Sequence, residues 1–318
     1  MLRTMVKLSV AALALVSVTA GSALAQDYPN RPIRIIVGFD PGSSVDTNMR
    51  TIAPTLEKIL EVPIVIENRP GAGGGIAWTN VSNARPDGYT LGSAQYPAIA
   101  GMFVTGGLPF NPVDGLEFLG NFVYDTNVVF VGKDSPYHSL ADMIDYLKEN
   151  PDGVSYGSNG LGSLDGLMAL AIGEAAGVHF RQVLFNSDTD MTVAVLGGHV
   201  DAMAGSVLNA RALIENGDVR AIGISGSERN PLLPDVPTFA EQGYPLAVNA
   251  SSRGIVMPVG ADPAIVSKLR DAIKAAMDDP EYLERAKTVN QVVTYLTPEQ
   301  VRADVAANIE FIEKAVPK

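Results

Sequence analysis

The sequence predicts an α/β protein built as two Rossmann-like lobes with a cleft between them. Three observations predict it. Short β-branched runs alternate with amphipathic helical stretches. Turns rich in glycine and serine lie where those runs end, which is where open α/β sheets bind ligands. The strand–helix pattern then restarts midway along 318 residues, a length that suits about two domains.

Taken in order, Ile33-Arg34-Ile35-Ile36-Val37 reads as a buried strand. Beyond residues 38–46 a helical pattern places Met49, Ile52, Ala53, Leu56, Ile59 and Leu60 on one face. Residues 63–66 form a second strand. A glycine-rich turn follows at 68–75 before another helix, and a turn at 85–88 before a third strand at 89–93. This alternation implies a parallel sheet. Residues 128–131 are apolar and extended, and 139–148 an amphipathic helix. A strand at 154–157 precedes a helix at 164–176, and strands follow near 182–185, 201–204 and 219–224. We read residues 26–132 and 226–318 as domain 1, with domain 2, residues 133–225, inserted. Domain 1 resumes with a strand at 254–257 and helices near 263–277, 280–287 and 298–315. No internal repeat is apparent.

The N-terminus predicts export. Arg3 and Lys7 precede an apolar run at 8–18, and Ala23-Leu24-Ala25 offers small residues for cleavage. The run is shorter than the ~20 residues of a membrane span. Residues 1–25 are therefore read as a signal peptide. Gln26, not cysteine, follows, so no lipid anchor is expected. The chain has no cysteine, which removes disulfides, cysteine-ligated metals and thiol nucleophiles. With 23 basic and 35 acidic residues its formal charge is −12. That balance suits solubility and argues against a nucleic-acid partner, while leaving room for a locally positive pocket.

Two loops are the candidate site. The first contains Phe39, Asp40, Gly42, Ser43, Ser44 and Asp46, and joins a strand end to a helix start. Unpaired N–H groups and a partial positive charge there suit a carboxylate. Helix capping by Ser43 or Ser44 accounts for the same residues without a ligand. The second loop repeats the arrangement with Ser158, Asn159, Gly160, Gly162 and Ser163. One such helix start per domain is what a cleft binder needs. Tyr96, after a strand end, is a further candidate; Trp78 reads as a packing residue. Neither glycine run keeps the order of a P-loop or dinucleotide fingerprint. No zinc-protease or nucleophile-elbow motif is present. His138, His179 and His199 fall in a turn, at a strand start and in a turn, and are read as surface residues. No catalytic residue, metal or cofactor is expected.

Longer segments carry a resemblance. Residues 28–37, Pro41-Gly42 with Asp46 and Arg50, Glu67-Asn68-Arg69-Pro70-Gly71-Ala72-Gly73-Gly74, Arg85-Pro86-Asp87-Gly88-Tyr89-Thr90-Leu91, and residues 229–238 together resemble the substrate-binding proteins of tripartite tricarboxylate transporters, the Bug family. The resemblance implies the type II periplasmic-binding-protein fold and a monomer that takes a small organic acid in the cleft. The carboxylate would be held by backbone N–H groups and waters at residues 42–46 and 158–163. The partners implied are a large and a small integral membrane subunit; the alternative is signalling to a sensor kinase. The chain departs from the family pattern at Asp40 (usually Pro), at Ser43-Ser44, and at Gly166, where His is frequent. It departs again at Leu184-Phe185-Asn186-Ser187-Asp188, which replaces Pro-Tyr-Lys-Gly-Gly. Asn186, Ser187 and Asp188 are therefore candidate contacts in a site that has lost a lysine and gained acids. The expected ligand is a monocarboxylate, an amino-acid-like zwitterion, or an acid with a neutral far end.

Overall fold

Alternation of side chains across each strand decides which face it buries, and the central strands at residues 33–37, 116–125, 127–132 and 251–258 are buried on both faces. The computed structural model describes residues 28–160, 163–185, 187–226, 228–246, 251–289 and 291–315. The segment read as a signal peptide, together with Gly162 and Asn186, lies outside the described residues.

Eleven strands among the described residues form two sheets. Those of the first are β1 (Ile33–Val37), β2 (Ile64–Asn68), β3 (Thr90–Tyr96), β4 (Leu116–Asp125), β10 (Ser251–Pro258) and β11 (Val293–Leu296), in the order β11-β4-β10-β3-β1-β2. The second sheet holds β5 (Asn127–Gly132), β6 (Ser155–Ser158), β7 (Arg181–Leu184), β8 (Ala202–Ser206) and β9 (Val219–Ile224), in the order β7-β6-β8-β5-β9. In each, three strands run parallel and the next lies antiparallel: β10 against β3, and β5 against β8. The first three strands read from the sequence pair in parallel as expected, and antiparallel neighbours join them because each lobe accepts one strand from a segment that has just crossed from the other. The crossing also moves a boundary: residues 127–132, assigned from sequence to domain 1, pair in the second sheet.

The helices follow the burial pattern. Helix α1 (Ser44–Leu60) is capped by Ser43, whose hydroxyl accepts from the Asp46 N–H, and buries Met49, Ile52 and Leu56. They pack with Ile33, Ile35, Ile255 and with Leu269 and Ile273 of α9 (Pro263–Ala276) on one face of the first sheet. Helix α2 (Gly75–Ser82) lies on the other face, where Trp78 is buried and donates to the Ser93 carbonyl at 2.9 Å. That face continues into the second lobe through Val129, Val131, Tyr156 and Leu167. Val128 and Phe130, one residue out of phase, fill a separate cluster with Met191 and Met203. Burying each such side chain contributes about 1.5–3 kcal/mol.

The remaining helices are α3 (Ala98–Val104), α4 (Pro112–Gly115), α5 (Leu140–Glu149), α6 (Leu164–Ala176), α7 (Asp188–Leu196), α8 (Val207–Glu215), α10 (Pro280–Thr288) and α11 (Pro298–Ala315). The last packs on α3 and β4 and reaches α6, so it touches both lobes. Among the described residues no helix is long and apolar enough to cross a membrane.

Among the described residues two crossings join the lobes: Thr126 between β4 and β5, and the segment that leaves β9 at Ser225 and is described through Leu246 on its way to β10. They lie side by side. The Asn127 N–H donates to Ser225 Oγ at 2.8 Å, the Ser225 N–H donates to the Asn127 carbonyl at 2.8 Å, and Asn230 Nδ2 donates to Thr126 Oγ1 at 2.7 Å.

Candidate functional site: the cleft between the lobes

The loops after β1 and β6 occupy equivalent places in their sheets, each leaving the strand flanked by two parallel neighbours. Both face one cleft of about 940 Å³. Of the residues singled out in the sequence, Phe39, Gly42, Ser44, Tyr96, Asn159, Ser163 and Asp188 line it. Asp40, Ser43, Asp46, Ser158, Gly160 and Ser187 do not.

The first loop is held from behind. Asp46 is buried and accepts from the Gly42 N–H at 2.8 Å, Arg50 Nε at 3.0 Å and Asn68 Nδ2 at 2.8 Å. Burial works against its charge, but these hydrogen bonds, Arg50 foremost, hold its carboxyl below the usual range. Asn68 also donates to the Phe39 carbonyl at 3.0 Å, which gives the Asn68-Arg69-Pro70 segment a local purpose. Gly42 adopts φ +83°, a conformation that glycine takes without strain. Asp40 is exposed, and its carbonyl accepts from the Ser43 N–H.

The second loop is built alike. Ser163 caps α6 by accepting from the Gly166 N–H at 3.2 Å. Asp165 accepts from the Asn159 N–H at 2.8 Å and from Ser163 Oγ at 3.2 Å. Burial raises the Asp165 carboxyl, and Asp188 adds to the rise. Asn159 Nδ2 donates to Asp188 at 2.6 Å, joining the loop to the start of α7. Ser187 caps α7, accepting from the Asp190 N–H at 3.1 Å. Ser158 is fully buried and donates to Gln182 Oε1 at 3.0 Å. In both lobes a first-turn aspartate therefore takes one of the loop N–H groups that an incoming anion would otherwise find free.

The floor of the cleft comes from residues that the sequence reading missed. Asp125 and Asn127 flank the Thr126 crossing, Ser251 and Arg253 begin β10, and Asn48 of α1 donates to Gln291 at 2.9 Å. All six are buried. Arg253 Nη2 donates to Ser44 Oγ at 3.3 Å, while its Nε has no partner. Asp125 takes a hydrogen bond from Ser206, while its Oδ1 has none. Burial pushes the Asp125 carboxyl up and the Arg253 guanidinium down, and each charge partly restores the other. Asn48 Oδ1, Asn127 Nδ2 and the Tyr96 hydroxyl are likewise buried without partners. Tyr96 pairs with Ser252, so its ring lies on the sheet face opposite Arg253, against Phe118. One signal was available in the sequence: Ser251-Ser252-Arg253 leads directly into an apolar strand, where a charge has no ordinary place.

Two lobes, two crossings and one polar cleft between equivalent strand–helix loops define a solute-binding protein. The chain belongs to the tripartite tricarboxylate transporter family of receptors, whose family model (TctC) matches residues 48–311. It is 32% identical over 301 residues to the BugT protein of Bordetella pertussis, covering 92% of this chain and 91% of that one. A TctC solute-binding protein from Polaromonas superposes with TM-score 0.81 at 25% identity, over 91% of this chain and 98% of that one. MatC of Rhodopseudomonas palustris, solved with bound malate, has TM-score 0.72 and 28% identity, over 91% and 100% of the two chains. The family and these structures are binding proteins, and so is this chain; it is not an enzyme.

Proposed function

We propose that the chain is a periplasmic receptor that captures a small organic acid and passes it to the integral membrane subunits of a tripartite transporter. The observation that carries this reading is the cleft itself. It is roomy, lies between lobes joined by two adjacent crossings, and is walled by paired strand–helix loops. Gly42, Ser44, Asn159 and Ser163 line the cleft from the two loops and are the proposed ligand contacts there, with Phe39 and Tyr96 shaping the walls. MatC supports the class of ligand, since it holds malate in the same fold.

The test begins with native mass spectrometry of freshly purified protein, which weighs any co-purified acid. Calorimetry with that acid should then show one site and return the ligand unchanged. Deleting the gene should abolish uptake of the acid by whole cells. Uptake that persists alongside a lost transcriptional response would assign the protein to signalling instead. Conversion of the acid by the pure protein would refute the receptor reading altogether.

A further inference from the structure

We infer that the cleft is built for a zwitterion, an α-amino acid whose carboxylate meets Arg253 and whose ammonium meets Asp125. This inference rests on the receptor reading and specifies its ligand.

Arg253 is the one basic side chain among the described residues that line the cleft, against three acids: Asp125, Asp165 and Asp188. It is 7% exposed, and Asp125 5%. Burying a charge without a partner costs several kcal/mol, so such groups normally pair. These two do not close on each other: among the described residues no carboxylate lies within 4.0 Å of the guanidinium. The strands explain why. Arg253 sits opposite Val123 and Ser251 opposite Asp125 in the antiparallel β10–β4 pair. The two charges therefore share one sheet face as diagonal neighbours, roughly 7–8 Å apart at the backbone. Arg253 keeps an unused Nε–H donor and Asp125 an unused Oδ1 acceptor.

A ligand that satisfies both must bring an acceptor for Arg253 and a donor for Asp125 on neighbouring atoms. An α-amino acid does this, and so does a 2-hydroxy acid. The net charge decides between them. With three acids against one base among the described residues of the cleft, an ammonium is attracted where a second carboxylate is repelled. The walls add to this, since the first-turn aspartates Asp46 and Asp165 already occupy the Gly42 and Asn159 N–H groups.

The test uses the mature chain and calorimetry with the standard L-amino acids. Each is matched by its deaminated acid (aspartate by succinate) and by its 2-hydroxy acid (aspartate by malate). At least one amino acid should bind. Its deaminated counterpart should bind roughly tenfold to a hundredfold more weakly, the usual worth of a hydrogen bond to a charged group, and its hydroxy counterpart in between. Asp125→Asn should weaken the amino acid by a similar factor and strengthen the deaminated acid. Arg253→Gln should weaken both. Circular dichroism melting checks that both variants fold, and the panel on the native protein decides without them. Succinate or malate binding as tightly as aspartate, with no amino acid preferred to its counterpart, overturns this inference and leaves the receptor reading intact. Absence of any binding across the panel overturns this inference, and the receptor reading is then decided by the acid that native mass spectrometry weighs.

Discussion

A carboxylate that accepts three hydrogen bonds from its own surroundings is a structural part before it is anything else, and Asp46 is such a residue. Its folded pKa lies below the usual 3.8. The stability it contributes is therefore complete above that ordinary value and is lost as pH falls through the lowered folded one. Asp46→Asn keeps the shape and removes the charge that Arg50 meets. At neutral pH it should lower stability by about 2 kcal/mol, the range for a hydrogen bond to a charged group. Urea unfolding should show this gap between the two proteins narrowing below pH 4, and a gap that persists unchanged at pH 2 would count against the assignment. Asp188, read from sequence as an acid gained at the site, opens α7 and lines the cleft. Asp40 was offered on the same reasoning, yet it is exposed and off the cleft.

At the scale of elements, β10 sets the geometry of the floor. Its approach to β4 is so close at Gly254 that a Cβ there would stand 2.4 Å from the Gly120 carbonyl oxygen. The register shifts beside it, between Arg253 and Gly254, which positions the start of the strand at the cleft. Gly254→Ala should therefore force the strands apart and cost about 2–3 kcal/mol, as overpacking does. The expected observation is a lower urea midpoint at unchanged slope, together with weaker ligand binding because Arg253 shifts. A variant with native stability and affinity would mean the strand pair is looser than described.

At the scale of the whole molecule, the lobes meet at Thr126 and at the segment that leaves β9, two crossings bonded to each other through Ser225 and Asn230. Paired connections of this kind can hinge while the sheets stay rigid. A ligand bridging Ser44 and Arg253 on one lobe with Ser163 on the other should draw the lobes together. Small-angle scattering should show a smaller radius of gyration with saturating ligand than without. The melting temperature should rise with it, reflecting about 2.7 kcal/mol at one hundred times the dissociation constant. Identical scattering curves at saturation would instead describe a preformed, rigid cleft.

The local elements and the family are legible in the chain's own residues. Ile33–Val37, Leu164–Ala176 and Val219–Ile224 were readable because burial on both faces and helical periodicity are local signals. The two strand–helix loops were readable because Gly42, Ser43 and Ser163 have residue-level reasons to start a helix. The mixed sheets were not legible, since the exchange of β5 and β10 between lobes is a matter of which strands pair across 71 residues or more, as in Val131↔Ala202 and Ser252↔Tyr96. The floor of the cleft was not legible either. Asp125 and Arg253 are far apart in the chain and are brought to one sheet face by the β10–β4 register. Neither residue carries a motif. What marks them is burial with one polar atom each, Arg253 Nε and Asp125 Oδ1, left without a partner, a property of the folded molecule.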